Sequence, residues 1–170
     1  MDKEKLNQHL FSKVARIFVI LDGAQIPELR MKLYELKPVH YCLMTGELEP
    51  DMQEVAPYMV RLLPGTPFTE WLLSEVWGKN WGIFALTRET VLEMRKHFSS
   101  ILTVYDEEAN TLMFRYYDPR VWRKFLPTCQ PEELKTLFGR VDTFLVESED
   151  KESFIQYEFT AEGLKETPLN

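Results

Sequence analysis

Apolar positions crowd together from Val14 to Leu21, where β-branched and aromatic side chains run up to the turn residues "DGAQ" with only Arg16 interrupting. That pattern predicts a buried strand. Before it, Lys3 to Phe11 places Leu6, Leu10 and Phe11 on one side of a short amphipathic helix. After it, Pro27 opens a helix to Leu36, with Leu29, Leu33 and Leu36 at helical spacing. Val39 to Leu43 reads as a second strand, so the chain begins with a βαβ-like unit. "TGELEPDMQEVAP" predicts a loop with one helical turn, and Tyr58 to Leu63 a short strand. Phe68, Trp71, Leu72 and Val76 then form the core-facing stripe of a helix, and Trp81 to Leu86 returns to strand.

The second half predicts hairpins. Thr87 or Thr90 caps a helix whose one face carries Val91, Met94, Arg95 and Phe98. Ile101 to Tyr105 and Leu112 to Tyr117 flank the polar turn "DEEAN". Pro119 starts a helix that aims Trp122, Phe125 and Leu126 at the core. Pro131 starts another, through Leu134, Leu137 and Phe138 to Gly139. Val141 to Glu147 and Phe154 to Phe159 are strands joined by "SEDKE", and the tail from Thr160 reads as polar and frayed. The resulting expectation is an α/β (mixed α+β) domain. A mixed β-sheet is flanked by helices, over one domain spanning residues 1–170.

Charge narrows the function classes. The net charge is -7 over 170 residues. From Glu147 to Asn170 there are seven acidic and two basic residues, so the excess sits in the last segment, a C-terminal acidic hairpin and tail over 147–170. An acidic chain repels phosphate backbones, which argues against nucleic acid as a partner. The basic group Arg115, Arg120, Arg123 and Lys124 is a local exception. No apolar run approaches the ~20 residues of a membrane span, and no signal peptide is evident, so no membrane insertion and a cytoplasmic location are expected.

Candidate chemistry is sparse. "DGAQIP" has a single glycine and no Walker lysine, so it does not make a phosphate loop. His9, His40 and His97 lack metal-ligand spacing, as do Cys42 and Cys129, and no metal or cofactor is expected. Nothing points to a small-molecule substrate. The one pairing of carboxylates that chemistry could use is Asp22 with Asp118, with Arg115 beside them, as in a hydrolase. Each has a structural reading too. Asp118 before Pro119 is a helix N-cap, Asp22 before Gly23 fits a turn, and Arg115, read as mid-strand, needs a carboxylate partner if buried. Cys42 reads as an inert buried thiol and His40 as a hydrogen-bonded structural residue.

Several ordered segments carry a resemblance. They are "FVILDGAQIPEL", "YCLMTGELEPDMQEVAPYMVRL", "WLLSEVWGKNWGIFAL", "MRKHFSSILTV", "LMFRYYDPRVWRKFLP" and "LKTLFGRVDTFLV". Together, from about Phe18 to Val146, they resemble the domain-of-unknown-function family 4123 (DUF4123). The resemblance implies a type VI secretion system adaptor, or effector chaperone, and not an enzyme. Such a protein binds the N-terminal region of an effector in the bacterial cytoplasm and helps load it onto the VgrG spike. The family pattern falls on Asp22, Gly23, Pro57, Trp81, Gly82, Arg115, Tyr117, Asp118, Pro119 and Arg120. Of these, Asp22, Gly23, Pro57, Trp81, Gly82, Asp118 and Pro119 are expected to hold the fold. Arg115, Tyr117 and Arg120, with Trp122 and Arg123, are the candidates for partner contact, Trp122 having an equally good reading as core. A purely structural part of the secretion machine is a further alternative to the hydrolase.

Overall fold

The computed structural model describes residues 3–169. The first helix, α1, covers Lys3–Phe11 as the pattern predicts. Strand β1 (Arg16–Asp22) follows, then α2 (Leu29–Leu36), β2 (His40–Cys42), α3 (Pro50–Val55), β3 (Pro57–Leu62), α4 (Pro67–Glu75) and β4 (Gly82–Thr87). The second half contains α5 (Val91–Ser100), β5 (Thr103–Tyr105), β6 (Thr111–Met113), α6 (Pro119–Phe125), α7 (Pro131–Phe138), β7 (Val141–Glu147), β8 (Phe154–Thr160) and β9 (Gly163–Leu169). Thr90, rather than Thr87, caps α5, in a reciprocal capping box with Glu93.

Seven strands form one sheet in the order β2-β3-β1-β4-β7-β8-β9, and β5 pairs only with β6. The α/β class with a helix-flanked sheet is as expected. Every strand pairing among the described residues is antiparallel, so the sheet is not mixed in direction. The βαβ-like unit is present with an insertion. Strands β1 and β2 both run antiparallel to β3, hence parallel to each other, with β3 between them. The tail is not frayed, because β9 pairs along its whole length with β8, from Phe154↔Leu169 to Thr160↔Gly163.

Strand β1 is central and buried on both faces, which is why it reads as an unbroken apolar run. Its side chains alternate between two cores. Ile17, Val19 and Leu21 pack with Leu6, Leu29, Leu33, Phe68 and Leu72, beneath α1, α2 and α4. Phe18 and Ile20 pack with Met94, Phe98, Trp122, Leu137 and Phe144, beneath α5, α6 and α7. The second core is rich in ring contacts, with Trp122 against Phe144 at 4.6 Å and Phe138 against Phe144 at 5.1 Å between centroids.

Gly82 stands opposite Leu21 in the β1–β4 pairing. A Cβ there would overlap the carbonyl oxygen of Ile20, which is backbone and has no room to yield. Gly82→Ala should therefore destabilise the fold by on the order of 2–4 kcal/mol. Chemical denaturation will measure it; a midpoint equal to wild type would refute the close approach.

Candidate functional site

Residues scattered through the sequence meet at one end of the sheet. Asp22 is the last residue of β1 and faces Pro57, the first of β3. Its backbone N–H donates to the carbonyl of Trp81 at 2.8 Å, immediately before Gly82 opens β4. Gly23 donates to the Ala56 carbonyl at 3.2 Å, and a side chain on Gly23 would collide with that same carbonyl. Asp22, Gly23, Pro57, Trp81 and Gly82 thus form one junction where three strands begin or end.

Arg115 joins this junction to the second half of the chain. It lies just past β6 and not within a strand. That position leaves its side chain 41% exposed while its guanidinium donates to the Asp22 carboxylate, which is 1% exposed. The same guanidinium nitrogen stands 3.8 Å from Asp118. The carboxylate partners that a buried arginine would require are therefore the two expected ones, although the arginine itself is half in water.

Each aspartate is also engaged by backbone. Asp22 accepts from the Ala24 N–H at 3.0 Å, capping the 3-10 turn Gly23–Gln25. Asp118 caps α6, accepting from the Arg120 N–H at 2.9 Å. Its carboxylate takes two further bonds from the Arg120 side chain, at 3.0 and 2.8 Å. Burial pushes the Asp118 carboxyl up, but the Arg120 hydrogen bonds and the charges of Arg120 and Arg115 outweigh it and hold the pKa below the ordinary value. Burial, reinforced by the Asp22 charge, pushes the Tyr117 phenol up to about 12. An acid–base pair needs its two carboxyls driven apart, one of them kept protonated. Asp118 is driven towards ionisation, so the arrangement suits a neutralised structural cluster.

The contact residues expected from the sequence are only partly available. Trp122 is 1% exposed and sits in the second core, the alternative its sequence position offered. Tyr117 is buried as well. Arg123 is half-buried and donates to the backbone carbonyl of Glu147. Arg115 and Arg120 keep a solvent-facing side, the latter 50% exposed. Phe125, expected in the core, is 37% exposed and meets Phe114 edge-on at 4.7 Å.

Accessible apolar side chains cluster elsewhere, on the β5–β6 hairpin. All six strand residues are exposed, among them Val104, Tyr105, Leu112 and Met113. The Phe114 N–H to Leu102 carbonyl bond, at 2.7 Å, fastens its base. Asp106 organises its turn by accepting from the backbone of Glu108 and Asn110 at 3.0 and 2.8 Å. A cavity of about 300 Å³ opens beside Val104, Phe114 and Phe125, with Glu132, Glu133 and Leu137 on its far wall. A second, of about 320 Å³, lies between Leu112, Met113 and the Leu43–Thr45 segment. The sequence reading placed this hairpin but not its exposure. The one available sign was apolar residues at consecutive positions on strands too short to alternate into a core.

The family profile described as Domain of unknown function (DUF4123) matches residues 17–136. The chain belongs to the DUF4123 family. No curated protein and no solved structure matches it. The matched segment contains the whole DUF4123 junction, from Asp22 to Arg120, together with the hairpin. Among the described residues no cluster of His, Cys, Asp or Glu could hold a metal ion, and no helix is long and apolar enough to cross a membrane. His40 accepts its structural role, with Nδ1 2.8 Å from the Pro38 carbonyl. Burial pushes the Cys42 thiol up and the Cys129 thiol up to about 11, so both stay protonated near neutral pH.

Arg115→Ala leaves the buried Asp22 charge without its cation and should cost about 2 kcal/mol, reduced from a fully buried pair by the arginine's exposure. A thermal melt unchanged from wild type would exclude a stabilising pair. The lowered pKa of Asp118 gives stability that is fully present above its ordinary value of 3.8 and is lost as pH falls through the lower folded value. Denaturation titrations from pH 6 to about pH 2 should show a shallower acid loss in Asp118→Asn than in wild type; parallel curves would count against the linkage.

Proposed function

We propose that this DUF4123 protein is a non-enzymatic adaptor. It binds the N-terminal region of a type VI secretion effector in the bacterial cytoplasm and helps load it onto the VgrG spike. The observation that carries this reading is the apolar β5–β6 hairpin, held in water as a two-stranded sheet of its own. Clustered apolar side chains with unpaired strand edges are an aggregation hazard unless a partner covers them. Family membership supports the reading through the resemblance described above. The engaged state of Asp22 and Asp118 speaks for scaffolding over hydrolysis at that end of the sheet.

An exposed apolar hairpin suits a chaperone's task. It shields an aggregation-prone apolar segment without chemistry, and rim charges select the partner. The expected result of co-expression with an effector encoded beside it is a stable complex on size exclusion and a larger soluble fraction of the effector. Two folded proteins that elute separately at micromolar concentration would overturn the reading.

A further inference from the structure

We propose that the groove between β5 and the helices α6 and α7 takes an apolar, positively charged segment of the partner polypeptide. One aromatic or aliphatic side chain fills the cavity, and Lys or Arg residues meet Glu132 and Glu133. The choice of partner segment rests on the adaptor reading; the location and chemistry rest on the groove itself.

The cavity's floor is apolar, made by Val104, Phe114, Phe125 and Leu137, and its volume of about 300 Å³ suits a large side chain. Its charged lining is entirely acidic. Neither Glu132 nor Glu133 forms an ion pair with a cation among the described residues. Glu133 is held in place by accepting from the Gln130 N–H at 2.7 Å, so its charge is fixed at the rim. The hairpin adds Asp106, Glu107 and Glu108 and contains no basic residue from Thr103 to Met113. A ligand that buries apolar groups here must neutralise this field.

The same field sets the class of occupant. A membrane carries anionic headgroups, which the hairpin repels. A small molecule would use one cavity, whereas the exposed hairpin also borders a second groove of mixed lining beside Thr111, Leu112 and Met113. That extent suits a helix or strand of a polypeptide with basic flanks.

Two synthetic amphipathic peptides with the same Leu/Phe face, one carrying Lys and the other Glu on its polar face, separate the possibilities by fluorescence anisotropy. The Lys peptide should bind wild type about tenfold or more tighter than the Glu peptide. Val104→Lys and Glu132→Lys should each weaken it about tenfold. Met31→Lys, at an exposed apolar position on α2, should leave it unchanged. Absence of saturable binding, equal affinity for both peptides, or equal loss in Met31→Lys would overturn the proposal. Co-purification of the effector keeps the two readings apart. An effector retained by Val104→Lys as by wild type overturns the groove and leaves the adaptor standing. Peptide binding as expected, with no effector retained by wild type, overturns the adaptor and leaves the groove.

Discussion

The ion cluster of Asp22, Arg115 and Asp118 ties the two halves of the molecule together. Asp22 ends a strand buried on both faces of the sheet, and Asp118 starts the helix that carries Trp122 into the second core. Arg115 lies between them and contacts both. Two carboxylates this well buried require compensation, and the guanidinium groups of Arg115 and Arg120 with backbone N–H donors supply it. The position of α6, and with it the orientation of the residues leaving the hairpin, follows from that arrangement. The cluster joins elements far apart in sequence.

The sequence made much of this legible because the elements are locally consistent. Lys3–Phe11, the strand ending at Asp22 and the Asp118–Pro119 helix start each carry their own pattern and cap. The partners of Arg115 could be named because a semi-buried arginine needs a carboxylate. Exposure was harder to read. Trp122 and Phe125 are three residues apart on one short helix, yet the first is core and the second half open, since α6 meets the sheet along a narrow stripe. The strand from Leu112 towards Tyr117 ends early because the chain turns at Tyr116 and Tyr117, closed by the Asp118 N–H on the Arg115 carbonyl, a turn without local signature in the apolar pattern. For the same reason β9 was missed: its residues are polar, and only its pairing with β8 makes it a strand.

Acidic charge is distributed with a consequence for partner choice. The hairpin turn, the start of α7 and the β8–β9 region are all acidic, whereas Arg115 and Arg120 bond the aspartates of the cluster and Arg123 bonds the Glu147 carbonyl. The arginines of the basic group each have an intramolecular partner, while Arg115 and Arg120 keep a solvent-facing side. The apolar hairpin itself carries only acidic charge between Thr103 and Met113.

The family match ends at residue 136, inside α7, but the sheet does not. Strand β7 lies directly against β4, and Phe144 and Val146 from it fill the second core. A fragment cut where the shared segment stops would turn β4 from an interior strand into an open edge and strip Trp122 of its nearest ring. The unit of recognition between relatives and the unit that folds are different lengths of chain here, and the last three strands are as much a part of the body as the first.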